Sequence, residues 1–333
     1  MLNIKVYFLL SIILCLLGHK IRAQKIDHLV SFRAIESESY FRFNYDNDYF
    51  DSSDRDYSQG YNFEWVAPIL KKNPLNKVLW GSKNSSTKYG LSFEHIGFTP
   101  KNIVSEEIQF GDRPFAAALM LKSFSILQNK VAKTRIVSEL NIGMMGPIAF
   151  GKQMQTGIHK AIGGSIPGGW KNQIGNDIVV NYRLGFEKEF LRVKNIFLVN
   201  GNADLNVGTL FTNTSIGFNA ILGLLKNTAT PNRVSIYAYA QPKVNLIAYD
   251  ASLQGGLLNN NNSYTIPAED IERAVYHFNW GFVMKFKKLY LEYSRTILTK
   301  EFSTGELSGW GGIRVGFRLK LNGIINPNKT FSN

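Results

Sequence analysis

Along most of the chain, apolar and polar residues alternate one by one. Phe41, Phe43 and Tyr45 alternate with Arg42 and Asn44, and Tyr61, Phe63 and Trp65 with Asn62 and Glu64. Ile178 to Phe186, Phe197 to Leu205, Tyr276 to Phe286 and Ile313 to Leu321 repeat the pattern. In a strand, successive side chains face opposite sides of the sheet, so each segment has one apolar, aromatic face and one face of charges and amides. Twelve such segments are predicted, near 38–46, 57–67, 88–98, 114–126, 132–145, 177–190, 195–207, 210–224, 233–249, 271–286, 288–298 and 309–321. They run to about ten residues, which a tilted strand needs to cross a bilayer, whereas soluble strands average roughly 5–6. The predicted fold is all-β: a twelve-stranded antiparallel transmembrane β-barrel, apolar outside and polar inside. A secreted soluble β-protein is the alternative.

Strand parity sets an orientation. With both termini in the periplasm, the connections after odd strands lie outside: 47–56, 99–113, 146–176, 208–209, 250–270 and 299–308. Most of the others are short, such as 127–131 and 191–194; the connection 68–87 is too long for an inside turn. Within 146–176 a short helix is predicted, followed by a Gly-rich return over 163–169.

Composition narrows the classes. The 333 residues are 44% hydrophobic and 13% aromatic, which excludes intrinsic disorder. Val6 to Leu17 is the one long apolar run, and it is shorter than the ~20 residues a membrane-spanning helix needs. With Lys5 before it and Ala23 closing the polar stretch after it, the run reads as a signal peptide over residues 1–23, leaving a barrel over 24–333. Removing Lys5, Lys20 and Arg22 lowers the formal charge from +13 to +10. Cys15 is the only cysteine, so the exported chain has none, which suits an oxidising compartment. The positive charge is spread along strands, which argues against nucleic acid.

Three outer connections carry candidate chemistry. Residues 45–60 place Asp46, Asn47, Asp48, Asp51, Asp54 and Asp56 within eleven positions. Hard oxygen donors at this density suit Ca²⁺, although the spacing is not that of an EF-hand and a solvated acidic loop has the same composition. The second connection contains Lys101 and an Asp112–Arg113 pair able to hold the loop. The third carries Gln155 and His159 at i, i+4, on one helix face. The other histidines of the exported chain are His28, His95 and His277, the last two within strands. A neutral imidazole takes a proton from water near pH 7, and a cation stabilises an oxyanion, so these groups suffice for ester hydrolysis. No G-x-S-x-G elbow, zinc-type His pair or P-loop is present.

As a set, Asp46-Asn47-Asp48, Asp54 to Gly60 (DRDYSQG), Gly111 to Ala116 (GDRPFA), Gly146 to His159, Trp170 with Gln173, and Glu301-Phe302 resemble the outer-membrane lipid A 3′-O-deacylase family. The resemblance covers the chain after residue 23 in order. It implies a calcium-dependent twelve-stranded barrel that removes 3′-linked acyl chains from lipid A in the outer leaflet. It places Asn47 and Asp48 at the active site and calcium site, Ser58 where family members carry Thr or Ser, and His159 as the catalytic histidine. Lys101, Arg113 and Gln155 are the substrate-binding candidates. Some members carry an acidic residue six positions after the histidine, where this chain has Ser165.

The reading is thus a Ca²⁺-assisted hydrolase facing the cell exterior, monomeric, acting on lipid A. His159 activates water and Ser58 orients; Ser58 as nucleophile ranks second. The rivals are an inactive barrel serving as a pore or structural element, and an outer-membrane phospholipase.

Overall fold

The computed structural model describes residues 27–48, 56–81, 86–225 and 234–319. The expected signal peptide and residues Asp51 and Asp54 lie outside these. Twelve strands form a closed antiparallel barrel: β1 (Tyr40–Asn47), β2 (Asp56–Val66), β3 (Ser86–Thr99), β4 (Ala116–Asn129), β5 (Thr134–Met145), β6 (Asp177–Val193), β7 (Phe197–Gly208), β8 (Phe211–Leu224), β9 (Ser235–Asp250), β10 (Ala274–Phe286), β11 (Leu289–Leu298) and β12 (Ser308–Arg318). Each strand pairs with its neighbours in sequence, and β1 closes the ring on β12, so no sheet edge is left open. No helix among the described residues is long and apolar enough to cross a membrane; the crossing elements are strands.

The alternation has its expected consequence. Phe63, Phe93, Leu121, Ile142, Ile216 and Phe282 stand exposed on the outer face. The inward face is charged and internally paired. Arg42 binds Glu64 at 2.7 Å, Arg314 binds Asp46 at 2.9 Å, and Lys122 bridges Glu94 and Glu139. Buried charges persist only when paired. Asp46 therefore does not belong with the acidic loop that follows it: β1 turns its side chain into the lumen.

Both ends of the lumen are filled. At the end bearing both described termini, residues 27–39 run into the barrel. Arg33 meets Glu292 at 2.8 Å, Ser31 N donates to Glu187 at 2.8 Å, and Arg42 and Arg135 donate to the carbonyls of Arg33 and Leu29. At the other end, the connections after β9 and β11 fold inward. Leu253, Ile266, Ile271 and Phe302 there pack against Phe98, Met120 and Trp310. This filling argues against the open-pore reading.

The awkward connection after β2 does not hang below the barrel. Its two 3-10 turns, Pro68–Lys72 and Pro74–Val78, fold back over the outer wall. Asn73 donates to Ser123, Trp80 N to Ser138, and Tyr182 to the Val78 carbonyl. The segment thereby satisfies serines that the strands turn outward.

Candidate functional site

The outward face of β1–β3 at the loop-bearing end collects several of the candidates. Asn47, the last residue of β1, donates from Nδ2 to the Ser58 carbonyl at 2.7 Å. A bulge between Tyr57 and Gln59 inserts Ser58 as an extra residue against β3. A bulge re-aims a side chain, and here the Ser58 hydroxyl forms a short hydrogen bond with Thr99, both groups buried. Asp48 follows Asn47 and is buried.

Beside this rim sits α1 (Gly151–Ile162), the helix expected in the third outer connection. A second helix, the single turn α2 (Ala251–Gln254), was not expected. Small residues let α1 approach the wall. A Cβ on Gly151 would come within 2.5 Å of the Trp170 ring and 2.6 Å of the Ala117 Cβ, so only glycine fits. Ala149 is fully buried, and its carbonyl lies 2.9 Å from His95 Nε2. His95 stacks on Tyr61, which fastens the loop to β2 and β3.

On α1, the buried Gln155 accepts from Trp170 Nε1 at 2.7 Å, and Trp170 packs on Phe115. His159 lies one turn further along that face, half-buried. Its Nδ1 is 2.6 Å from the Ser165 carbonyl. The helix ends at Gly163, where the chain turns back. The return is pinned to the preceding loop: Gly168 N donates to Ile103 O, and Lys171 binds Glu106 at 2.9 Å. That hydrogen bond holds the Glu106 carboxyl below its usual range and raises the Lys171 ammonium.

Two candidates occupy different surroundings. Arg113 is buried in the barrel mouth. Its guanidinium binds Glu301 at 3.0 Å and Ser252 at 3.1 Å and lies over the Phe98 ring. The expected Asp112–Arg113 ion pair is replaced: Asp112 caps the backbone N–H groups of Lys101 and Arg113, while Glu301 takes the charge. Lys101 is exposed and pairs with Glu306 at 3.1 Å. His277 lines a polar lumen cavity with Asp27, Arg183 and Lys243. Thr99 and the anchoring role of His95 were missed; a threonine ending one strand and a histidine inside it carry no signal without the register.

Asn47 and Asp48 carry an amide and a carboxylate oxygen, and Ser58, bound by Asn47 through its carbonyl, and its partner Thr99 add hydroxyls. Such a set fits a hard cation like Ca²⁺ and not a thiolate- or imidazole-preferring metal. Among the described residues no three His, Cys, Asp or Glu side chains converge on one point.

A barrel whose outer wall, and not its lumen, carries a docked helix with Gln155 and His159 matches one family model, described as outer membrane protein LpxR, over residues 8–319. The chain belongs to the LpxR family. LpxR from Salmonella typhimurium is similar in structure, with a TM-score of 0.70 at 18% identity, covering 84% of this chain and 100% of that one. The β domain of the Bordetella autotransporter BrkA follows at a TM-score of 0.47 and 8% identity, covering 86% of this chain and 100% of that one. No curated protein matches the chain in sequence. Family membership makes this chain an outer-membrane β-barrel.

Proposed function

We propose that this LpxR-family barrel hydrolyses a 3′-linked acyl ester of lipid A, from the outer leaflet, with its loop-bearing end facing the cell exterior. The observation that carries the reading is that the connection bearing α1 docks on the lipid-facing wall, Ala149 on His95 and Gly151 against Ala117, at the same end of the barrel as Asn47 and Ser58. A lipid ester at that wall reaches these groups from the bilayer without entering the filled lumen.

His159 is the base. A carbonyl only accepts, so the neutral ring donates from Nδ1 to Ser165 O, and in that tautomer Nε2 is the basic nitrogen that takes a proton from water. Asn47 and Asp48 hold Ca²⁺, which when bound supplies positive charge near the developing oxyanion. Ser58, fixed by Thr99, orients the substrate; its hydroxyl partner is Thr99 and not an imidazole, which favours water over Ser58 as nucleophile. Gln155 and Lys101 remain substrate contacts, whereas Arg113 is assigned to holding the mouth together. Residues 1–23 direct export, and the barrel acts as a monomer.

Mass spectrometry of lipid A from cells with and without the protein is the deciding experiment. Loss of the 3′-linked acyl mass only when the protein is present supports the proposal. Unchanged lipid A with cleaved phospholipid indicates the phospholipase alternative, and no change in either lipid indicates an inactive barrel.

A further inference from the structure

The connection between β2 and β3 has properties that ester hydrolysis does not use. It lies on the outer wall at the end bearing the termini, held there by Ser123, Ser125, Ser138 and Tyr182. Its free surface mixes two kinds of side chain. Ile69, Val78 and Trp80 are each more than half exposed. Lys71, Lys72 and Lys77 are exposed beside them. Residues 67–81 contain no Asp or Glu, and among the described residues none of the three lysines makes an ion pair.

Exposed apolar residues on a segment lying against a membrane-spanning wall face lipid, not water. Tryptophan at such a level marks a membrane interface, and long lysine stems extend along apolar surface to bring their charge to headgroups. Three uncompensated lysines then seek anions. The adjoining turns add Lys130, Lys194 and Lys287 to the same end. With the termini in the periplasm, the lipids at this end are those of the inner leaflet.

We infer that the segment 67–81 is a binding site for an anionic phospholipid of the inner leaflet, its lysines on the headgroup phosphate and Ile69, Val78 and Trp80 against the acyl chains. The site is separate from the acyl-hydrolysis site; it rests on the proposed orientation of the barrel and not on the hydrolysis.

The test is native mass spectrometry of the full-length purified barrel in detergent micelles doped with phosphatidylglycerol, phosphatidylcholine or lipid A. The expected result is retention of phosphatidylglycerol over phosphatidylcholine. One lysine near an anionic surface is worth about fivefold, so Lys71→Gln/Lys72→Gln/Lys77→Gln is expected to weaken retention on the order of 100-fold. The corresponding triple arginine variant should keep it. A charge-matched variant at the opposite end, Lys152→Gln/Lys160→Gln/Lys300→Gln, should leave retention unchanged. Boiling-dependent gel mobility verifies that each variant is folded. The site is refuted by undiminished retention in the glutamine triple, by equal loss in the charge-matched variant, or by no preference over phosphatidylcholine. Tighter retention of lipid A than phosphatidylglycerol through the same lysines overturns the inner-leaflet assignment.

Discussion

His159 Nδ1 lies 2.6 Å from the backbone carbonyl oxygen of Ser165. Six residues separate them, and the Gly-rich return after α1 brings the carbonyl back against the ring. At this position the chain meets the ring with main chain and not with an acidic side chain. A carbonyl orients the ring and selects its tautomer as a carboxylate does, without adding charge. The serine at 165 is therefore compatible with catalysis.

Replacing His159 tests the base. His159→Ala is expected to lower deacylation roughly 10²–10⁴-fold, the usual worth of general-base catalysis. Insertion and boiling-dependent mobility should be unchanged, since the residue sits on a surface helix. Asp48→Asn should cost a comparable factor, and the double variant hardly more, because groups acting as a unit are non-additive. His277→Ala, altered in the lumen, should keep most of its activity. Wild-type turnover by folded His159→Ala rules out the mechanism.

The Ser165 carbonyl makes a distinct prediction. Ser165→Ala keeps the carbonyl and should leave turnover near wild type. Gly164→Ala should not: its Cβ would sit 3.1 Å from His159 Nδ1 and displace the ring. The ring need give only a few tenths of an ångström, so the loss should stay below the roughly 10²-fold that a displacement of about 1 Å costs. Equal activity of the two variants in a lipid A assay contradicts the orienting role.

Calcium dependence follows from the oxygen donors around Asn47 and Asp48. Excess chelator should stop hydrolysis, and Ca²⁺ should restore it better than Mg²⁺, which demands tighter octahedral geometry. Full activity in chelator removes the cation from the proposal.

Arg113 is expected to matter for stability. Arg113→Ala removes the guanidinium that binds the buried Glu301 in the mouth, a loss of roughly 3–5 kcal/mol for breaking a buried ion pair. The boiling-dependent mobility shift should then be lost at a lower temperature than in the wild type. An unchanged transition, with activity alone reduced, would return Arg113 to the substrate-binding set.

The alternation along the chain determined the twelve strands and their lipid-facing side, because strand side-chain geometry is local: a period of two is visible wherever it occurs. The short helix with Gln155 and His159 was equally legible, since its residues and the glycines that end it are contiguous. Only the tertiary structure decided what joins distant segments. Arg113 finds Glu301 188 residues away, Asn73 finds Ser123 across the outer wall, and residues 27–39 find partners on many strands. Identity also cannot reveal a role played by main chain, as at Ser165, or a bulge that turns Ser58 towards Thr99. These depend on register and closure, which arise when all strands pair at once. The sequence therefore marked the candidate residues, and the closed barrel decided which of them gather on the outer wall of β1–β3 and which, like Arg113, fill the lumen.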